Sequence, residues 1–483
     1  MHTSKLLDVL SNCTLKEIKQ FREYVYSPLF NKNHNVCLLI DYIEKVAPDF
    51  ENRKLDKLQV SKFIFPTNKF EDQKIRDLMS YLTKLLEDFL SYNHFINQNI
   101  TKELYLLKEL RHKGLKKHFL KTEKKVRQLI DKQLKKDSNL YHNKYLLDKE
   151  LYDFVLQTEE GLEHDMSLQN MIDNLDVYYL FVKLKFSCQL INQKDQYAKK
   201  VDLSMIPELS SYLDLNLKKY EDNPSILIYH EILLMNLNNN ETNYQQLKDL
   251  LIIHENNFTK NEMRIFYAAA QNFCAQQIDS GHTKYWEEIF NLYQFQLKKG
   301  ILFDEKVFPH AAYNNIVNAG LQANELKSTL KFIEEYKDKI PQTHQESTYT
   351  FNLAKYYYFI KDYDKVLTLL QQVNFTDIYY NLGSKAMLAR TYYEINEDEA
   401  LQSLLNAFAI YLKRNKTLSA FRYNNHMQFI KILRKMIQIK IQKSLYKEDE
   451  KFEEQLQNVQ SLISSSDVIN KGWLIREFEK LAD

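Results

Sequence analysis

Glycine and proline are scarce in this chain, since each of them occurs only seven times in 483 residues. Both residues mark tight turns, and glycine also builds the backbone loops that surround phosphate groups. Because so few of them are present, the sequence predicts long helices joined by short connections. We therefore expect an all-α protein, and none of the glycine-rich nucleotide-binding motifs occurs in the sequence.

The spacing of apolar residues divides the chain into three predicted regions. Residues 1–95 are predicted to form a helical N-terminal domain, in which Thr14 and Glu17 fit a capping box. Residues 96–224 are predicted to form long helices. Residues 225–483 are predicted to form an α-solenoid with C-terminal capping helices, because helix pairs recur there with a period of roughly 35–42 residues. The predicted pairs are 225–238 with 241–256, 260–279 with 283–299, 305–321 with 325–339, 347–361 with 363–373, and 379–395 with 397–413, followed by helices at 418–445 and 451–464.

Two stretches in the last region resemble tetratricopeptide repeats. They are FNLAKYYYFIKDYDKVLTLLQQV and AMLARTYYEINEDEALQSLLNAF, where the large–small–aromatic pattern of a first helix falls on Leu353, Ala354 and Tyr357 and again on Leu388, Ala389 and Tyr392. The resemblance implies stacked helical hairpins whose concave face binds a protein or peptide. The N-terminal stretch FREYVYSPLFNKN is similar to the start of uncharacterised helical proteins from Bacteroidetes-type bacteria, which implies no activity.

Asparagine and tyrosine on the predicted first helices are candidate partner contacts. An asparagine amide offers both a donor and an acceptor to a peptide backbone, and tyrosine suits protein interfaces. The candidates are Asn314, Asn318, Asn352, Tyr356 and Lys385. The alternative is that these residues are ordinary surface or packing residues.

Charge is unevenly distributed, although the formal net charge is only +2. Residues 102–136 carry thirteen basic and four acidic side chains, residues 400–447 carry ten basic and no acidic ones, and residues 148–176 carry nine acidic and one basic. In one hypothesis the lysines solvate outer helix faces and the acidic segment docks on a basic one. In the other, lysine-rich helices at 102–136 and 413–447 bind nucleic acid through Lys113, Lys117, Lys121, Lys124, Lys431, Arg434 and Lys435. The near-neutral total favours the first hypothesis.

Residues able to support catalysis or metal binding are scattered. The four cysteines, Cys13, Cys37, Cys188 and Cys274, form no close pair, and no HExxH or GxSxG motif occurs. Glu160 and His164 would share a helix face, but no second pair at like spacing completes a metal site. We therefore predict no enzyme, no cofactor and no metal. A site assembled from residues distant in sequence stays an open alternative.

The sequence also indicates where the protein works. No apolar run approaches the ~20 residues that span a bilayer, and the first residues, MHTSKLLDVLSNC, lack the apolar core of an export signal. Separate cysteines are typical of reduced thiols inside the cell. We therefore expect a cytoplasmic scaffold or regulatory protein that binds a protein or peptide, with a nucleic-acid-associated factor as the alternative and no membrane partner.

Overall fold

A computed structural model of the chain describes residues 4–50, 54–67, 69–133, 137–158, 166–197, 202–303, 308–372, 377–444 and 450–482. Within these ranges the backbone forms 23 α-helices and no β-strand, so the predicted all-α class is confirmed. The chain divides into two compact units, Met1–Leu233 and Leu234–Asp483. The division into three domains and the solenoid arrangement stay predictions.

Eleven α-helices make up the described chain as far as residue 238. In order they are α1 (Lys5–Ser11), α2 (Leu15–Tyr26), α3 (His34–Val46), α4 (Lys57–Ile64), α5 (Asp72–Asn97), α6 (Asn99–His112), α7 (Lys116–Asp131), α8 (Ser138–Thr158), α9 (Ser167–Tyr197), α10 (Ile206–Asn216) and α11 (Pro224–Asn238). Helices α1 to α4 all pack on α5, whose Leu82 and Leu86 are buried. The predicted capping box of Thr14 and Glu17 is present at the start of α2.

The lysine-rich segment predicted at 102–136 forms two helices, α6 and α7. Gly114 lies between them with a φ of 65°, a left-handed conformation that glycine adopts without strain. Both helices pack on α8, where the rings of Phe119 and Phe154 stack with centroids 4.1 Å apart. Arg111 of α6 pairs with Glu150 at 2.9 Å and with Asp153 at 3.3 Å. The basic α6 therefore contacts the acidic side of α8 inside the first unit.

The second unit contains the twelve described α-helices that follow α11 along the chain. They are α12 (Glu241–Ile253), α13 (Lys260–Asp279), α14 (Tyr285–Lys298), α15 (His310–Gln322), α16 (Leu326–Glu335), α17 (Gln345–Phe359), α18 (Tyr363–Gln372), α19 (Ile378–Glu394), α20 (Asp398–Arg414), α21 (Ala420–Ser444), α22 (Glu450–Ser465) and α23 (Lys471–Ala482). Each of α13 to α22 packs on the next helix, and α17 also contacts both α15 and α19. The sequence reasoning did not predict α23.

Asparagine takes the place of glycine at several turns within the helix pairs. Asn324, Lys361 and Asn396 have φ values of 60°, 63° and 62°, and each lies between the first and second helix of its pair. The following amide then donates to a carbonyl five residues earlier, as in Glu325 N to Gly320 O at 2.9 Å. This geometry satisfies carbonyls that a helix end leaves without partners. Short connections are thus built with very little glycine.

Two glycines instead lie inside helices, where neighbouring helices approach closely. A Cβ atom on Gly320 of α15 would lie 2.1 Å from Thr329 Oγ1 and 2.8 Å from the ring of Phe290. A Cβ atom on Gly383 of α19 would lie 2.6 Å from the ring of Phe351. The missing side chains let α15 approach α14 and α16, and let α19 approach α17.

Candidate partner-binding face

Helices α15, α17 and α19 are the first helices of three successive pairs and carry most of the predicted partner contacts. We call the surface carried by Asn314, Asn318, Asn352, Lys355 and Arg390 the first-helix face. Because α17 contacts both of the other two helices, side chains from all three meet on this face.

The first part of this face is a hydrogen-bonded network that joins the three helices. Asn352 is fully buried, and its Nδ2 donates to Asn314 Oδ1 and to Thr348 O, the latter at 2.8 Å. Asn314 Nδ2 in turn lies 2.9 Å from Tyr380 Oη. Thr348 Oγ1 also lies 2.9 Å from Tyr380 Oη. The structure therefore places Asn352 and Asn314 in a link between helices, and no partner reaches the buried Asn352 directly.

The other three predicted contacts have separate positions. Asn318 is exposed on α15. Tyr356 is partly buried, with its ring edge-on to Tyr357 at 5.5 Å between centroids. Lys385 places its Nζ 5.2 Å from the ring centre of Tyr411, on the side of α19 that faces α20, and burial lowers its pKa. Of the five predicted residues, Asn318 is the one that is exposed on the first-helix face.

Two cations that the sequence reasoning did not single out lie on the same face. Lys355 and Arg390 occupy the position of Asn318 in their own pairs, since all three lie equally far before the left-handed residues of their turns. Lys355 Nζ lies 4.9 Å from the ring centre of Phe351, and Arg390 Cζ lies 4.5 Å from that of Tyr358. Neither cation makes a hydrogen bond or ion pair with any residue that the structure describes.

The positive charge of these residues is costly in the free protein. Burial lowers the pKa of Lys355 to about 8, and the nearby charge of Arg390 lowers it further in the same direction. Burial also lowers the pKa of Arg390. Both side chains are nevertheless partly exposed, so a ligand can reach them from solvent. The face thus holds two enclosed cations without a directly bound counter-charge.

Glu394 lies near Arg390, but its carboxylate is already satisfied by other donors. It accepts hydrogen bonds from the hydroxyls of Tyr358 and Tyr363 and, at 2.8 Å, from Trp473 Nε1 of α23. Burial raises the pKa of Glu394, while these hydrogen bonds and the Arg390 charge lower it more, so its pKa lies below the usual value. Glu394 therefore stays ionised and ties α23 to α19.

The predicted basic residues of the first unit form an exposed stripe. Lys113 follows α6, and Lys117, Lys121 and Lys124 lie along α7; all four are exposed and make no ion pair with any described residue. Their neighbour Lys125 differs, because it pairs with the buried Glu103 at 2.7 Å. The stripe is therefore free to bind an external anion.

The predicted basic residues of the second unit are partly engaged. Lys431 is exposed, but Arg434 Nη2 donates to Asn406 Oδ1 at 2.6 Å and Lys435 Nζ donates to Asn458 Oδ1 at 2.9 Å. Residues 134–136 and 445–447 of the two basic segments lie outside the described residues. The stripe on α6 and α7 thus offers more unpaired charge than α21.

A cleft of about 850 Å³ lies between α6 and α8 in the first unit. Amides and tyrosines line it together with Lys108 and Lys149; they include Asn99, Asn139, Asn143, Tyr105 and Tyr145. Its volume is in the range of ligand-binding clefts. Asparagine and tyrosine side chains therefore line a concave surface in the first unit that the sequence reasoning did not predict.

Groups suited to metal chemistry do not gather in the described part of the chain. No cluster of three or more His, Cys, Asp or Glu side chains that could hold a metal ion occurs there. Glu160 and His164 lie outside the described residues. The four cysteines are free thiols, and Cys37, Cys188 and Cys274 are buried.

Comparisons with known proteins give no further guide to the site. No protein-family model matches the chain, and neither curated proteins nor solved structures give a significant match. Across the described helices, none combines the length and apolar character needed to cross a membrane.

Proposed function

We propose that this chain is a non-catalytic scaffold or regulatory protein of the cytoplasm that binds a protein or peptide on the first-helix face. One observation carries the proposal: Asn318, Lys355 and Arg390 repeat at equivalent positions of α15, α17 and α19. A repeated polar position on contacting helices suits an extended partner, which meets successive helices in turn, as in the stacked hairpins of tetratricopeptide repeats.

The arrangement of side chains on the first-helix face also supports a role in binding a partner. The Asn314–Asn352–Tyr380 network ties the three helices together by hydrogen bonds, and Asn352 Oδ1 is buried without a partner among the described residues. Helices that are tied together in this way lose little conformational freedom when a partner binds. Lys355 and Arg390 lie over aromatic rings but have no hydrogen-bonded carboxylate among the described residues, so an anionic group of a partner would offset the cost of burying their charges.

Removing the repeated polar side chains is expected to abolish partner capture. The test compares the tagged full chain with a variant carrying Asn318→Ala, Lys355→Met and Arg390→Met, using proteins captured from native lysate and identified by mass spectrometry. The matched control carries Lys327→Ala and Lys331→Ala on α16, both exposed and on a second helix. We expect the control to retain every protein that the triple variant loses. Equal capture by all three chains would reject the proposed site.

The α6–α7 stripe supports nucleic-acid binding as a second candidate function. Lys113, Lys117, Lys121 and Lys124 are exposed and free of ion pairs with described residues. If they bind a nucleic-acid backbone, log affinity should fall against log salt with a slope of about −3 to −4, since each neutralised phosphate releases counterions. Replacing all four lysines with glutamine should then flatten the slope. The measurement is fluorescence anisotropy of a labelled oligonucleotide between about 50 and 200 mM salt, and a salt-independent affinity would exclude this function.

A further inference from the structure

We propose that Lys355 and Arg390 form a subsite for a dianionic phosphate group on a phosphorylated side chain of the peptide partner. The inference rests on the proposed function, because it assigns a chemical class to the partner of the same face. It is carried by the position of the two cations, by the balance of charge around them and by the state of Glu394.

The two cations lie on neighbouring helices, α17 and α19, and border the same row of α17 side chains; Lys355 Nζ lies 4.9 Å from the ring centre of Phe351, four residues before it. Lys355 and Tyr358 are three residues apart on α17, a spacing that makes side chains neighbours on a helix surface. Arg390 reaches across from α19 and places its Cζ 4.5 Å from the ring centre of Tyr358. The charge of Arg390 also affects the pKa of Lys355. One anion on this face can therefore interact with both cations.

The surrounding charges leave an excess of two positive charges. The ionised groups that act on Arg390 are Glu394 of α19 and Arg476 of α23; counted with the pair, the cations are Lys355, Arg390 and Arg476, and the anion is Glu394. Glu477 is already paired with Lys480 at 2.6 Å. A ligand that carries two negative charges would balance the cluster.

Phosphate fits this excess better than a carboxylate does. A phosphate monoester carries about −1.5 to −2 charges at neutral pH, while a carboxylate carries one. Arginine offers a planar fork that binds phosphate oxygens in pairs, and lysine adds a compact point charge. The Nε of Arg390 is buried and has no hydrogen-bond partner among the described residues, so part of this fork is unused. Glu394 does not occupy the fork, because its carboxylate binds Tyr358, Tyr363 and Trp473.

The first test measures whether phosphate stabilises the second unit. Both tryptophans, Trp286 and Trp473, belong to that unit, so tryptophan fluorescence follows its thermal unfolding in the full chain. Inorganic phosphate should raise the unfolding midpoint of the wild type, because a ligand that binds only the folded state stabilises it. Acetate at the same ionic strength should not. No shift with phosphate, or an equal shift with acetate, overturns the inference.

The Lys355→Met variant distinguishes a lysine that binds phosphate from one that only stabilises the fold. We expect it to lose the response to phosphate and yet to unfold at a higher midpoint than the wild type in phosphate-free buffer, because an enclosed, uncompensated ammonium has been removed. The control Lys331→Met should respond to phosphate as the wild type does. A Lys355→Met chain that keeps the full phosphate response would contradict the proposal even if Arg390 variants fail to fold.

The pH dependence of the unfolding midpoint tests whether the charge of Lys355 causes the stability difference between the wild type and Lys355→Met. The folded pKa of Lys355, about 8, lies below the ordinary value of 10.5, so the wild type gains stability as pH rises above about 8 and the folded lysine loses its proton. The difference in unfolding midpoint between the Lys355→Met variant and the wild type should therefore become smaller as pH rises. The other groups beside Lys355 do not titrate near pH 8: the pKa values of Tyr358 and Tyr363 are raised, that of Glu394 is lowered, and Arg390 stays protonated.

Titration calorimetry then separates the source of the phosphate. The probes are inorganic phosphate, a short capped peptide containing phosphoserine, and the same peptide with serine. We expect the phosphopeptide to bind at least about tenfold tighter than either control, a difference of about 1.4 kcal/mol. Equal affinity for phosphopeptide and inorganic phosphate overturns the assignment to a peptide partner. If phosphate fails to bind while the triple variant still loses its captured proteins, the phosphate subsite is rejected and the proposed function stands.

Discussion

A Gly320→Val substitution is expected to lower the free energy of unfolding of the second unit by about 3 kcal/mol or more. The new Cβ would lie 2.1 Å from Thr329 Oγ1 and 2.8 Å from the ring of Phe290. Neither group can easily give way, since Thr329 Oγ1 donates to Glu325 O at 2.7 Å and Phe290 is buried. Helices α14, α15 and α16 would have to separate, so the packing of all three would suffer.

The control for this substitution is Gly472→Ala, at the start of α23. A Cβ there would meet nothing closer than the guanidinium of Arg476 at 3.8 Å. Alanine is the better helix former, so we expect a gain of up to about 1 kcal/mol. Urea unfolding followed by tryptophan fluorescence measures both variants. A Gly320→Val chain as stable as the wild type would show that α14, α15 and α16 are not in such close contact.

A Trp473→Ala substitution is expected to cost about 3–5 kcal/mol. Trp473 is buried, its ring lies edge-on to Tyr393 with centroids 5.5 Å apart, and it also contacts Phe429. Its Nε1 is one of three donors to the carboxylate of Glu394. The variant therefore opens a cavity between α19, α21 and α23 and also leaves a partly buried carboxylate with one donor fewer. Fluorescence of the remaining Trp286 follows the unfolding.

The Trp473→Phe variant separates the ring from its hydrogen bond. Phenylalanine retains one aromatic ring beside Tyr393 but loses the donor to Glu394 and part of the buried ring volume; for the lost hydrogen bond we expect a cost of about 1–3 kcal/mol. The alanine variant should be the less stable of the two. If both substitutions cost the same, the hydrogen bond rather than the packing of the ring holds α23 in place.

Much of the fold could be predicted because helix length and apolar spacing are local properties. The predicted helix at 260–279 is observed with the same bounds as α13, and the capping box at Thr14 is formed. Other features depend on the backbone conformation of single residues, which apolar spacing does not predict. Asn324 and Asn396 adopt the left-handed conformation usually expected of glycine. Helix α23 was missed because it lies beyond the predicted helix pairs, although its apolar residues have helical spacing. These residues are Trp473, Leu474, Phe478 and Leu481.

The candidate site was harder to predict, because periodicity shows which side of a helix is apolar but not which neighbour covers the other side. Asparagine is usually found at the protein surface, yet Asn352 is enclosed between α15 and α19. Lys355 and Arg390 had a readable signal. They directly follow Ala354 and Ala389, so the two repeat-like stretches place a cation at the same position. Their lack of an acidic partner depends on the tertiary structure and could not be read from the sequence.

The order of packing in the second unit has a consequence for how the protein is made. Because each of α13 to α22 packs on its neighbour, most pairings are short in sequence and can form quickly. A ribosome releases the chain from its N-terminal end, so each hairpin can close on the previous one while later residues are still being added. Glu394 is an exception, since its partner Trp473 is synthesised much later. Until α23 leaves the exit tunnel, Glu394 therefore lacks one of its three donors and Phe429 lacks its contact with the ring of Trp473.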